Sequence, residues 1–148
     1  MLSIPMIHTS STLEELRDGG SWDGLILITD DHLSDVIEPL KNQISVHREF
    51  DHATRTGVHM LRVESAPASR LTLCCIGDYC SEGDDLRMVT KVAAEGMSRA
   101  LAAGLQRPCL MVSLPQAPKE ALESAVFGAL SALWVPLEAR EVTRGRSI

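Results

Sequence analysis

Four aliphatic residues in a row, Leu25-Ile26-Leu27-Ile28, followed by Thr29, stand between Asp23-Gly24 and Asp30-Asp31. A run this short, apolar throughout and partly β-branched, reads as a buried strand rather than a helix. A buried strand needs cover, and the rest of the chain alternates in a way that supplies it. Leu33, Val36, Ile37, Leu40 and Ile44 recur at helical spacing, with Ser34 as a cap and Pro39 placed in the first turn. Gly57 to Val63 alternates loosely as a strand, and Leu71 to Ile76 forms another that ends at Gly77-Asp78.

The span from Asp84 to Leu105 reads as a long helix with Leu86, Val89, Ala93, Met97, Ala100, Leu101 and Leu105 on one stripe. Asp84 and Asp85 suit the positive N-terminal end of such a helix. Leu110-Met111-Val112, between Pro108 and Pro115, predicts a further short buried strand. A second long amphipathic helix follows from Ala121 through Trp134 and stops at Pro136. Near the start, Ser11-Thr12-Leu13-Glu14 fits a capping box and predicts a short helix closing at Asp18-Gly19-Gly20. Small residues (Ala94, Gly96 and Gly104; Ala125, Gly128, Ala129 and Ala132) predict close packing of the two late helices. The pattern implies an α/β fold, a three-layer sandwich with a mixed, partly parallel central sheet flanked by helices. Residues 1–148 read as one domain, with 137–148 as a linker or tail.

The chain is one domain long at 148 residues, and its aromatic content of 3% leaves the core to aliphatic side chains. Its 14 Lys and Arg stand against 20 Asp and Glu, a net charge of −6. Acidity and scarce aromatics argue against nucleic-acid binding, because phosphates are repelled and bases find no stacking surface. No segment reaches the about 20 apolar residues of a membrane-spanning helix. The first fifteen residues lack the basic start of a secretory signal. Cys74, Cys75, Cys80 and Cys109 show no CxxC spacing, and read as reduced thiols of a cytoplasmic protein.

The candidate chemistry is sparse. His47, Asp51 and His52 crowd together, with His59 seven residues on, but Arg48 brings an opposing charge and His52 points away from the other two. The expectation is a solvated loop or helix end, not a metal site. Cys74 and Cys75 are strand neighbours aimed at opposite faces, and Cys80 is the most exposed thiol candidate. No nucleophile elbow or phosphate-binding glycine motif appears. Gly77, Asp78 and Gly83 mark a weak ligand crevice where a strand gives way to a helix. Asp30-Asp31 and Asp84-Asp85 read as helix-start charges. No catalytic, cofactor-binding or metal-ligating residue is assigned.

The order of segments adds a resemblance. The strand Leu25 to Thr29 precedes Leu33-Ser34, and the strand Leu71 to Gly77 precedes an acidic loop. Leu86-Arg87 then opens an Ala-rich helix, Cys109 to Ser113 makes a short strand, and the last helix reads Glu123-Ser124-Ala125-Val126-Phe127-Gly128-Ala129-Leu130-Ser131-Ala132-Leu133-Trp134. This pattern resembles the N-terminal domain of the leucyl aminopeptidases, cytosolic dizinc exopeptidases. Ile76-Gly77-Asp78 stands where that family has Leu-Gly, and Trp134 stands at its Tyr position.

The resemblance implies a macro-domain-like fold and a non-catalytic scaffold that helps build a homo-oligomer, a hexamer. The family's two divalent metals (Zn or Mn), its catalytic Lys and Arg and its Asn-Thr-Asp-Ala-Glu-Gly-Arg-Leu segment belong to a C-terminal catalytic domain that no part of this chain matches. The expected partners are that domain and like subunits, and neither a membrane nor nucleic acid. The alternative is a stand-alone macro-like module binding a nucleotide or ADP-ribose-type ligand at the Gly77 to Asp85 loop.

Overall fold

The computed structural model describes residues 22–33, 36–77, 86–115 and 117–133. The expected capping-box helix, Ser34, Asp78, Cys80, Gly83 to Asp85, Trp134 and the tail lie outside these residues. Four strands, β1 (Gly24–Thr29), β2 (Gly57–Arg62), β3 (Arg70–Cys75) and β4 (Pro108–Ser113), form one sheet in the order β2-β3-β1-β4. β1 runs parallel to β3, with Leu25 opposite Leu71, and parallel to β4, with Leu25 opposite Cys109. β2 lies antiparallel on β3, with Gly57 opposite Cys75 and Arg62 opposite Arg70. Helices α1 (Leu40–Phe50), α2 (Leu86–Ala102) and α3 (Ala121–Ser131) cover the sheet.

The period-two geometry of β1 explains the layers. Successive side chains of a strand point to opposite faces. Leu25 and Leu27 join Leu71, Leu73 and Cys75 in a core closed by Leu40 and Ile44 of α1. Ile26 and Ile28 join Cys74 and pack under Val89, Ala93 and Ala100 of α2 and Ala125 of α3. Every residue of β1 is buried. The sandwich and its mixed sheet are therefore as the segment pattern predicts.

Several boundaries differ from the pattern. The helix expected from Leu33 begins only at Leu40, immediately after Pro39. Pro39 has no N–H to give a helical ladder and disfavours helical backbone in the residue before it. Leu33 and Val36 precede the helix and still reach the core, while Ile37 is exposed. β4 was expected to be buried, yet Leu110, Met111 and Val112 are only partly covered. Among the described strands it pairs with β1 alone, so it is an edge. The buried line of α2 is Val89, Val92, Ala93, Gly96 and Ala100, leaving Leu101 exposed.

Asp23, read in the sequence as turn punctuation, is a clamp. Its carboxylate accepts the backbone N–H groups of Gln106 at 2.6 Å and Arg107 at 2.9 Å. This ties the entrance of β1 to the entrance of β4, and Arg107 also lies 5.7 Å from the Trp22 ring centroid. Gly96 and Gly128 make the close approach that the sequence predicts, whereas Gly104 lies beyond the end of α2 with a φ of 94° and nothing within 4 Å of an added Cβ. A Cβ at Gly96 would stand 2.5 Å from Cys74 Sγ, so glycine lets α2 lie close on the sheet. A Cβ at Gly128 would fall on the Thr90 carbonyl oxygen, a backbone atom that has no rotamer to move to. Gly128→Ala is accordingly expected to lower the unfolding free energy by about 1–3 kcal/mol, by overpacking α3 against α2. Urea denaturation checks it: the midpoint falls while the slope is unchanged.

Candidate functional site

The parallel strands β1 and β3 end side by side. Their pairing continues past the strands, with Ile76 N–H donating to Thr29 O at 3.2 Å and Asp31 N–H to Gly77 O at 2.8 Å. Gly77 takes a positive φ of 79° there, and a Cβ would meet nothing within 4 Å. Its role is to turn the chain out of β3. Parallel sheets bind ligands outside these carboxyl ends, at the strand where the connections diverge. β1 is such a strand, with β3 on one side, β4 on the other, and the β3-to-β4 connection crossing over it.

Arg48 reaches this place from the last turn of α1. It follows Leu40 and Ile44 at the i+4 and i+8 positions, so the buried face of the helix ends in a guanidinium. Only 5% of Arg48 is exposed. It donates through Nη1 to the Asp31 carbonyl and through Nη2 to Cys75 Sγ at 3.1 Å. Asp31 in turn faces Arg55 Nη1 at 3.7 Å, with the Arg55 side chain half exposed. Thr29 and Asp30 at the end of β1 are buried, as is Ser113, which stands opposite Thr29 on β4. Four polar atoms in this cluster lack a hydrogen-bond partner: Thr29 Oγ1, Asp30 Oδ1, Asp31 Oδ1 and Arg48 Nε.

Asp30-Asp31 thus end a strand rather than start a helix, which corrects the sequence reading. Arg48, expected in a solvated loop or helix end, is the buried centre of the cluster. The signal was available as a charged residue continuing the Leu40–Ile44 spacing. The histidines are occupied locally: His47 Nε2 lies 3.1 Å from Arg62 O, and His59 Nε2 lies 2.7 Å from Thr56 O. Asp51 accepts the Ala53 N–H at 3.0 Å and caps a short 3₁₀ turn, and His52 is exposed. Among the described residues no three His, Cys, Asp or Glu side chains gather as a metal site requires. No described helix is long and apolar enough to cross a membrane.

The described cysteines are buried, and their thiols are hard to ionise. Burial pushes Cys74 up to about 12, with the neighbouring Cys75 adding to the rise. Burial pushes Cys109 up to about 11. Cys75 is also raised by burial, although the Arg48 guanidinium pulls the other way. A thiolate nucleophile at these positions is disfavoured near neutral pH.

An open groove of about 640 Å³ lies elsewhere, bounded by Val58 of β2, Ser98 and Arg99 of α2 and Ala132 after α3. It holds none of the unpartnered buried atoms. The carboxyl end of β1 is the better candidate.

Known proteins add one relation. The chain is 31% identical over 113 residues to the Caenorhabditis elegans protein named "Putative aminopeptidase W07G4.4". The match takes in 74% of this chain and 20% of that protein, so the chain spans about a fifth of the relative's length. No protein-family model matches the chain. No solved structure gives a significant match. The chain is therefore related to a protein that carries the aminopeptidase name.

Two predictions follow from the buried groups. Arg48→Met leaves the Asp31 carbonyl without its donor, and should lower stability by about 1–3 kcal/mol in urea denaturation. The second concerns alkaline pH. The folded thiols stay protonated above their ordinary value of about 9, whereas the unfolded chain ionises there. The unfolded state then binds fewer protons, so stability falls as pH rises from about 9 towards about 12. The urea midpoint should drop between about pH 8 and about pH 10, and drop less in Cys109→Ala.

Proposed function

We propose that this chain is a non-catalytic scaffold and assembly domain of a leucyl aminopeptidase-like protein, corresponding to the family's N-terminal domain. The peptide-hydrolysing centre, with its two zinc or manganese ions, would lie in a separate catalytic domain. That protein would work in the cytoplasm as a homo-oligomer. The relation to the aminopeptidase-named protein supports the reading, as does the order of strands and helices from Leu25 to Leu133.

The observation that carries it is the outer face of α3. The helix reads Ala-Leu-Glu-Ser-Ala-Val-Phe-Gly-Ala-Leu-Ser and is apolar on nearly every side. One side packs Ala125 and Gly128 against α2, and the other leaves Leu122 53% and Phe127 71% exposed. A helix that is apolar all round is normally covered on both sides. An exposed apolar face of this kind marks a surface that meets another protein. A catalytic domain or a like subunit is the partner the relation supports.

The test has two arms. Sedimentation of the 148-residue chain should show self-association that Phe127→Asp abolishes while the circular dichroism spectrum is kept. A chain monomeric at every concentration would remove the assembly role. With added zinc or manganese the chain alone should not hydrolyse leucine amide. Turnover that survives purification and responds to point mutations in this chain would overturn the non-catalytic reading.

A further inference from the structure

Two like charges meet at the other end of the sheet. Arg62 closes β2, Arg70 opens β3, and the two are register partners. The Val63 N–H donates to Ser69 O at 3.1 Å, so the ladder bond belongs to that pair and not to the Arg62–Arg70 pair inside it. Side chains come closest in pairs without the ladder bond, and like charges set opposite each other there are destabilising. Val58 and Met60 before Arg62, and Cys74 after Arg70, belong to the core under α2. Period two therefore sends both guanidiniums out on the α2 side. Both residues are exposed, and among the described residues neither has an ion pair.

A chain with 20 Asp and Glu has carboxylates to spare, yet those nearest in sequence do not neutralise the pair. Glu64, two residues beyond Arg62, makes no ion pair with it, and Asp23 is used by the Gln106 and Arg107 N–H groups. The backbone that presents the two arginines is fixed. The turn between them is buried at Val63, Ser65, Ala66 and Pro67. Ser65 donates its N–H and its hydroxyl to Gln43 Oε1 of α1, and His47 Nε2 of the same helix lies 3.1 Å from Arg62 O. Side chains carried on such a backbone lose less freedom when a partner binds.

Each guanidinium is a planar, two-pronged donor that matches an oxyanion. The exposed face on which they stand suits a segment laid across it rather than a small molecule enclosed in a pocket. A continuous row of phosphates fits poorly, because the net charge of −6 repels it and Trp22, near this end, packs on the α1 side. Two spaced carboxylates meet less of that repulsion. We infer that Arg62 and Arg70 form a docking site for an acidic polypeptide segment. Carboxylates at alternate positions of an extended segment point to one side, and each takes one guanidinium. The partner supplies the negative charge that the fold leaves out. The inference stands on the arginine pair and does not depend on the relation to aminopeptidases.

Nuclear magnetic resonance titration of the 148-residue chain at low ionic strength tests it. The probes are the blocked peptide Glu-Ser-Glu-Ser-Glu, the same peptide with Gln for Glu, and a single-stranded oligothymidine of about eight nucleotides. The Glu peptide should move the Arg62 and Arg70 Nε–H signals saturably, and the Gln peptide should not. Arg62→Gln and Arg70→Gln should each weaken Glu-peptide binding about fivefold or more. Arg107→Gln is the control for net charge: Arg107 is at the same end but lies over Trp22, on the α1 side, and its loss should change affinity less than about twofold. In urea the Arg62 and Arg70 variants should keep or raise the unfolding midpoint, since each removes a repulsion. A fall in that midpoint would show that the arginines serve the fold, and would overturn the docking role. No saturation up to about 10 mM, equal shifts with the Gln peptide, or an equal loss in Arg107→Gln would overturn it as well. Tighter binding of oligothymidine than of the Glu peptide would overturn the choice of an acidic polypeptide.

Discussion

Burial of β1 on both faces is the constraint on which the remaining structure rests. Leu25, Ile26, Leu27 and Ile28 are all 0% exposed, and neighbouring side chains on a strand cannot share a face. Two separate layers of cover are therefore required. α1 supplies one through Leu40 and Ile44, and α2 with α3 supplies the other. Fully burying one such side chain is worth about 1.5–3 kcal/mol, so losing either layer would expose half of that contribution. The parallel pairing on both sides of β1 follows, because helices covering both faces are what parallel strands need to connect.

The same architecture creates the polar cluster. A parallel sheet brings the carboxyl ends of β1 and β3 to one edge, and α1 ends its buried face there with Arg48 rather than an aliphatic residue. The guanidinium ties three pieces of chain together: the helix end, the backbone after β1 and the thiol that ends β3. A buried guanidinium in this position is expensive to desolvate unless its donors are used. Nη1 and Nη2 each donate within the protein and Nε does not, and Oδ1 of the buried Asp30 also lacks a partner. The cluster consequently holds its own elements in place and still leaves buried polar atoms without hydrogen-bond partners.

Close approach of the helices depends on residues with almost no side chain. Gly96 seats α2 on Cys74 and Ile26, and Gly128 seats α3 on the Thr90 carbonyl. The consequence is a thin, aliphatic second layer whose outer helix has spare apolar surface, with Phe127 the most exposed apolar residue of α3. In this chain the residues that make packing tight on the inside leave the large ones on the outside. The proposed assembly role takes its physical basis from that division.

Much of the fold was legible in local pattern. The aliphatic run at Leu25 to Ile28, the stripe of α2 through Val89, Ala93 and Ala100, and the close-packing glycines Gly96 and Gly128 foretold their places, because each depends on short-range pattern. Where Pro39 intervened, the same periodicity misled: Leu33 and Val36 are core residues outside the helix that their spacing suggested. The cluster at the end of β1 was hidden, since Asp30, Arg48 and Arg55 come from separate elements and look like ordinary surface charges one at a time. By itself the sequence determined which segments are strands and helices and which faces are apolar, since hydrophobic spacing is a property of neighbours along the chain. Only the tertiary structure decided that β4 is the edge among the described strands, that Arg48 is buried and that three separate segments meet at one strand end. Those are distances between residues far apart in the chain, and the order of strands in a sheet sets them.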